Sequence, residues 1–440
     1  MTVPANGRTS AALLPEDRFR RSVGDDPRRE RAQAGATVKP TTTDIEAPAR
    51  RRHRAPRAAA PSAIETLATR YHASLRREVR RLLRASPRAA EMASVCPAVV
   101  HVLAGRLAPP AVRRKARRQI EEGAALKTVA ATLGLPLWLR RLPPEAFSDA
   151  IPPLPDGETF ARRIAARLPD RPGKAGRWLA SVAFAAAAGD EAFAVWTAEQ
   201  SAFHDSETSP RRFAILAAYA WFSRQPQSRA HELIVVPWRS EIAFDTALCA
   251  AKSWFNRICL VLQLPPGALT DTWLQPSEAM GYRFVPLLDH DTLIEESRAM
   301  HNCADQYSER LSREKCRLFS IRRGDSRVAT LEVGPHPREV GVLGIWQLKT
   351  RHNMPAPVEV WQAAYQWLAQ QKNLKRLPPL AAGERGFDGE TWRALMAPYR
   401  EARGGAPWLP ELASRATFQP LETELSELAL AGGVRSWLFT

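Results

Sequence analysis

From residue 63 the apolar positions recur at intervals of three and four, the period of one face of an α-helix. In "IETLATRYHASLRREVRRLLRA" the apolar set is Leu67, Tyr71, Leu75, Val79 and Leu82, and Arg76, Arg77, Arg80, Arg81 and Arg84 cover much of the remaining circumference. A second basic helix, "AVRRKARRQIEEG", follows Pro109 and Pro110 and has Gly123 as its stop signal. The next stretch, "ALKTVAATLGLPLWLRRLPPEAF", has the layout of a helix-turn-helix, with Ala130 at the close approach, Gly134 in the turn and Pro136 opening the second helix. Pro143 and Pro144 end that second helix after about two turns, short for a recognition helix, so a plain helical corner is the preferred reading.

Residues 157–263 continue in helical period: "GETFARRIAARL", "GRWLASVAFAAAA", "EAFAVWTAEQSAFH", then "RRFAILAAYAWFSR" with "EIAFDTALCAAKSWFNRICLVLQ". Trp and Phe at helical spacing on Ala-rich faces are core residues. "HELIVVPW", from His231 to Trp238, interrupts them as a short strand or an extended connection. After Pro276 the period changes. "YRFVPLL" reads as a strand, and "HDTLIEESRAMHNCADQYSERLSR" as helix starting at His290 or Asp291. "KCRLFSIRR", "RVATLEVG" and "EVGVLGIWQLK" alternate with period two and are separated by turn-like "GDS" and "PHPR", which predicts a three-stranded antiparallel meander. The helix "APVEVWQAAYQWLAQQK" follows, with Pro357 near its first turn. Residues 372–440 are interrupted by Pro and Gly and are expected to pack around the outside.

The pattern predicts an α+β chain, mostly helical over its first two-thirds, then a small antiparallel meander flanked by helices. Five segments follow from it: a disordered basic tail (1–62), a basic helical module (63–150), a helical domain (151–275), an α+β domain (276–375) and a C-terminal extension (376–440). No internal repeat is present.

Composition adds the location of the charge. Hydrophobic content of 45% and 13 Trp suffice for sizeable cores. The formal net charge of +17 is confined to the first third: residues 1–141 hold 29 Lys+Arg against 12 Asp+Glu, and residues 142–440 hold 34 of each sign. Residues 1–62 are rich in Arg, Pro, Ala and Thr, including "ARRRHRAPR", and bury too little apolar surface to offset ordering entropy. A basic stripe is the electrostatic footprint of a nucleic-acid partner, with Arg76, Arg77, Arg80, Arg113, Arg114, Lys115, Arg117 and Arg118 as candidates. A solvated, arginine-rich face is the competing reading. The N-terminal segment lacks the apolar stretch of a secretory signal, and no apolar run reaches the roughly 18 residues that span a bilayer. Five cysteines without a CxxC pair fit a reducing compartment. The expectation is a cytoplasmic protein with no membrane insertion.

Alternation along the meander places Ser320 with Arg322, Thr330 with Glu332, and Gln347 with Lys349 on one face, and Phe319, Ile321, Leu331, Val333, Trp346 and Leu348 on the other. A polar face of this kind is ordinarily solvated. Covered by the preceding helix and the "TRHNMP" loop, it becomes a pocket lined by Arg322, Glu332, Gln347, Lys349, Asn353 and Cys303. Three readings of Cys303 compete. A nucleophile needs a cation or base nearby, from His352 or the sheet. A zinc ligand would join Cys316, His301 and His336 or His352, without the paired spacing of zinc knuckles. The ordinary alternative is a small buried hydrophobe between helix and sheet, with Asn302 and Tyr307 as hydrogen-bonding supports. Neither GxxxxGK[ST] nor GxGxxG occurs, so no phosphate loop is recognised.

Between residues 289 and 371, Met300, Cys303 and Tyr307 precede Phe319-Ser320-Ile321-Arg322, Ala329-Thr330-Leu331-Glu332, Gln347, Lys349, Asn353 and Trp367-Leu368. In order and spacing this resembles the PcfJ-like family, named after a protein encoded on conjugative plasmids, whose pattern opens Met-x-His-Cys-Val-Gly-x-Tyr. The resemblance covers about a fifth of the chain. It departs at Asn302, where the family has His, and at Ala304-Asp305, where it has Val-Gly; His301 stands one position early. On a helix that one step turns a side chain by about 100°. The resemblance implies conjugation or mobile-element proteins as partners and no settled reaction. Two function classes stay open: a nucleic-acid-associated accessory factor, or an enzyme, nucleotide- or nucleic-acid-directed, using the polar pocket, with Cys303, Arg322, Glu332 and Gln347 as catalytic candidates.

Overall fold

The structure is a computed structural model of the 440-residue chain, and it describes residues 62–164, 167–169, 171–205, 214–372, 374–375 and 385–434. The basic tail expected over 1–62 lies outside the described residues except for Ser62, whose Oγ accepts from Glu65 N and caps the first helix.

The first basic helix divides in two. Helix α1 (Ala63–Thr69) ends before buried Tyr71, His72 is extended, and after a 3-10 turn (Ala73–Leu75) α2 (Arg76–Ala85) begins. Arg76 Nε holds the Tyr71 carbonyl at 3.1 Å, so the break leaves no orphaned acceptor there. Helices α3 (Pro87–Val95), α4 (Pro97–Ala104) and α5 (Pro110–Glu121) each open on a proline, which lacks the N–H that a first helical turn cannot use. Helix α6 (Leu126–Thr132) is followed by Gly134 at φ +68° and a 3-10 turn (Leu137–Arg141) with Trp138 and Leu139 buried. The second element of the helix-turn-helix layout is therefore a core-facing corner, as preferred from its length.

Helices α7 (Glu158–Ile164), α8 (Pro172–Ala188), α9 (Glu191–Glu199), α10 (Ala202–Asp205), α11 (Ala214–Phe222), α12 (Arg229–Glu232) and α13 (Phe244–Gln263) make the large helical layer. Their Trp178, Trp196, Tyr219 and Trp254 are fully buried. "HELIVVPW" is a short turn of α12 and then an extended connection, with Val235 and Val236 exposed.

The period-two region forms a five-stranded antiparallel sheet in order β1-β2-β3-β4-β5: β1 (Glu278–Ala279), β2 (Tyr282–Pro286), β3 (Arg317–Arg323), β4 (Ser326–Pro335) and β5 (Leu343–Lys349). Two strands extend the expected meander. β2 pairs with β3 although helices α14 (His290–Met300) and α15 (Ser308–Ser312) intervene. β1 joins β2 through Met280 and Gly281, both at positive φ, the geometry of a two-residue type I′ turn without its usual Asn-Gly signature.

Helix α16 (Val358–Ala369) covers the apolar face. Val360, Ala363, Ala364 and Trp367 pack on Phe284, Phe319, Ile321 and Leu331. The Trp367 ring stacks on Phe284 at 4.5 Å and meets Phe319 edge-on at 5.0 Å. The C-terminal helices α17 (Gly389–Ala402) and α18 (Arg415–Ala431) do not lie outside. Trp392, Tyr399, Phe418 and Leu428 enter the same core as Trp178 and Trp254, and Tyr399 O–H donates to the Ala188 carbonyl at 2.7 Å. That core runs through residues 96–262 and 392–434, across the expected boundary at 150, and takes in the C-terminal extension. Among the described residues no helix is long and apolar enough to cross a membrane.

Trp367→Ala is expected to cost about 3–5 kcal/mol, the cavity cost of a buried Trp. Tyr365→Ala, on the exposed side of the same helix, should stay within about 0.5 kcal/mol. Urea titration of both variants measures the difference.

Candidate functional site

Strand register sets the site. Ser320 faces Thr330 and Thr330 faces Lys349; one row along, Leu318 faces Glu332 and Glu332 faces Gln347. The side chains of each row share a face, so the expected polar pairs do stand side by side. The middle of this face is not solvated: Ser320 is 0% exposed, Glu332 2% and Thr330 9%, while Gln347 is exposed and Arg322 and Lys349 are half-buried. One expected neighbour is displaced. A bulge after Glu332 on the β4–β5 pairing turns Trp346 outward, 46% exposed, instead of into the apolar face. Its ring lies over Gly334, where a Cβ would approach to 2.9 Å, and its Nε1 donates to the Pro335 carbonyl at 2.7 Å.

The cover over the polar face comes from the end of α14. Asp289 and Thr292 cap its start reciprocally, and His301 at φ 49° stops it. The helix expected to run on through Cys303 ends there. Asn302 and Cys303 therefore lie on a turn, and the helical displacement of His301 does not apply. His301 instead stacks parallel on His352 at 4.9 Å and 8°, away from the sheet. Ser297 Oγ donates to the Asn302 carbonyl, which directs the Asn302 amide onto Thr330 Oγ1 at 2.8 Å. Thr330 in turn donates to Glu296 Oε1 at 2.7 Å, and Arg327 Nε holds Oε2 at 3.0 Å. Tyr307 O–H donates to Glu332 Oε2 at 2.8 Å while Arg310 pairs with the other oxygen. Asp305 is anchored by Arg257 of α13 at 2.8 Å and by Ser253 Oγ at 3.2 Å.

Between this turn and the sheet lies a cavity of about 20 Å³, room for one water. Asn302, Cys303, Ala304, Tyr307, Leu318, Thr330, Glu332, Gln347, Lys349 and Asn353 line it. All but Leu318 and Ala304 are candidates that the sequence suggests. Arg322 and Ser320 are not brought to it; Arg322 Nε sits 3.3 Å from Ser320 Oγ beside the lined region. No family model, no curated protein and no solved structure matches the chain.

The local field decides the state of Cys303. Its Sγ is 3.7 Å from Asn353 Oδ1, and burial, with Asp305 and Glu332 adding negative potential, pushes the thiol pKa up. Burial and the same Glu332 raise Tyr307, and push Cys316 to about 12. A nucleophile would need the opposite shift. The zinc reading also fails on geometry, since among the described residues no three His, Cys, Asp or Glu stand close enough to hold a metal. Sequence reasoning missed Glu296, Asp305, Arg257 and Arg310. Glu296 had a signal: an acid on the inward helical face of Leu293, Ser297 and Met300.

The basic candidates divide by exposure. Arg77, Arg114, Lys115 and Arg118 are exposed; Arg76, Arg80, Arg113 and Arg117 are half-buried. Arg80 pairs with Glu65 at 2.7 Å, Arg118 with Glu122 at 2.7 Å, and Arg113 Nε donates to the Ala108 carbonyl. Arg77, Arg114 and Lys115 have no ion pair among the described residues.

Arg257→Met leaves the Asp305 carboxylate buried without its cation, at a cost of about 3–5 kcal/mol near pH 7. Burial already raises the Asp305 pKa above the carboxylate norm, so its share of stability is largest in acid and falls as pH rises through the folded value. Losing Arg257 raises that pKa further. The variant's deficit should therefore shrink between pH 7 and pH 5 in urea titrations; an equal deficit at both would show that Arg257 does not act through the charge.

Proposed function

We propose that the chain is a PcfJ-like accessory protein of a conjugative or other mobile element, which associates with nucleic acid in the cytoplasm through its basic helical module. The observation that carries this reading is an uncompensated charge on an ordered surface. Residues 62–141 hold 16 Lys+Arg and 5 Asp+Glu, a net of +11. Glu65 already serves Arg80 and Arg84, Glu78 serves Arg81 and Arg106, and Glu122 serves Arg118. Arg77, Arg114 and Lys115 are left exposed to solvent, where phosphates can reach them. The resemblance carried by Met300, Cys303, Tyr307, Glu332, Gln347 and Asn353 supports the setting.

The test is anisotropy of labelled DNA and RNA duplexes with the whole chain over a salt series. Affinity should fall log-linearly with salt, by about 0.9 in slope per phosphate neutralised. Replacing Arg77, Arg114 and Lys115 together by Gln should flatten the slope by roughly two to three. A salt-independent affinity would overturn the reading.

A second reading rests on the cavity. Cys303, Glu332, Gln347 and Lys349 converge there, and the Lys349 ammonium makes no ion pair among the described residues. In this reading the α+β part is an enzyme acting on a nucleotide or a nucleic-acid end, with Lys349 receiving the phosphate and Gln347 and Asn353 orienting it. Glu332 is held in place by Arg310 and Tyr307 at the cavity wall. Nucleotides should then raise the melting temperature of the whole chain and fail to do so with Lys349→Met. No stabilisation of the native chain by any nucleotide would remove this reading.

A further inference from the structure

A second cavity, of about 330 Å³, opens among α2, α3, α4 and α5 of the helical module, far in sequence from the polar one. Its volume falls in the range of small-molecule sites, roughly 300–1,000 Å³. Taking ~30 Å³ per water-sized group, it holds about ten such groups. Val100, Leu103 and Ile120 form its floor, at 1%, 2% and 5% exposure, and Leu82 of α2 flanks them.

The polar lining is sparse and of one dominant sign. Arg117 of α5 turns inward, and its Nε is buried without a hydrogen-bond partner. A guanidinium N–H removed from water and left unpaired is costly, because protein and solvent both fail to replace its hydration. Arg81 stands at the rim, where its link to Glu78 is a solvent-exposed pair that gives way easily. Glu121 also borders the cavity, but its side is exposed and it makes no ion pair with Arg117. An apolar floor with an inward arginine donor fits one ligand chemistry: a compact hydrocarbon body ending in an anionic head, which the planar fork of arginine binds bidentately.

We propose that this cavity binds a small carboxylate-bearing amphiphile, its apolar body on Val100, Leu103 and Ile120 and its carboxylate on Arg117. The site takes up the half-buried Arg117, whereas Arg114 and Lys115 on the same helix are exposed. It removes Arg117 from the set of phosphate-contacting candidates.

The test uses the whole chain, with octanoate and 1-octanol as probes in calorimetric titrations. Octanoate should bind saturably at one site, and octanol about ten- to hundredfold more weakly, the value of a hydrogen bond to a charged partner. Arg117→Met keeps the apolar volume and should erase that preference while leaving octanol affinity unchanged. Leu103→Trp should abolish binding of both by filling the floor. Absence of saturable octanoate binding, equal affinity for octanoate and octanol in the native chain, or a preference retained in Arg117→Met would each overturn the proposal. Far-ultraviolet circular dichroism of Arg117→Met matched to the native chain separates loss of the site from loss of the fold.

Discussion

Three buried carboxylates organise the α+β half of this protein: Glu296, Asp305 and Glu332, at 0%, 2% and 2% exposure. Each is held by an arginine from a different element: Arg327 of β4, Arg257 of α13 and Arg310 of α15. Removing such charges from water costs several kcal/mol per ion, and only close pairing with further hydrogen bonds offsets it. For Asp305 the balance is visible, because burial raises its pKa even against the adjacent Arg257. The pairs therefore specify more than they stabilise. A shift of the turn by one residue would leave a carboxylate buried without its partner, so the turn after α14 has one position over the sheet. Arg257 extends this to the helical half, because it ties a helix of the large core to the turn that covers the site.

That arrangement settles what the polar face can do. Glu332 is committed to Arg310 and Tyr307, and Glu296 to Thr330 and Arg327. Cys303 stands in the resulting negative field as a neutral thiol. The groups left to meet a ligand are at the mouth: Gln347, Lys349 and Asn353. His301, His352 and Asn353 all carry positive φ there, at 49°, 59° and 55°. Asn tolerates that region, while the two histidines hold it at a cost that their surroundings impose. Non-glycine residues in this conformation cluster where the backbone is shaped by a local requirement, and here Asn353 lines the cavity while the two histidines stack on each other.

The helical half follows a different rule. In its basic module the acids are few, and two of them are shared, Glu65 between Arg80 and Arg84 and Glu78 between Arg81 and Arg106. Exposed pairs of this kind contribute little stability, and they leave a surplus of cations at the surface. Below that surface the packing is incomplete between α2 and α5, where Arg117 turns inward over an apolar floor. One sequence stripe thus divides into an outward set and an inward residue, a division made by helix packing.

Period and charge were legible in the chain. The alternation of Ser320, Thr330, Glu332, Gln347 and Lys349 is a local property of an extended backbone, so their common face could be read before any contact was known. The helical period of Trp178, Trp196 and Trp254, and the confinement of positive charge to the first third, were equally local. Tertiary structure decided the rest. Whether the polar face met water or a covering turn depended on Arg257, Arg310 and Arg327 finding acids 22 to 48 residues away. The stop of α14 at His301 came from the Ser297–Asn302–Thr330 chain, which helical periodicity does not encode. The outward turn of Trp346 required a bulge against a partner strand, and the burial of Trp392 and Phe418 required a core built from residues far earlier in the chain. Side-chain direction along one element is set by backbone geometry; what that direction meets is set by whichever distant surface can pair the buried charge or fill the space.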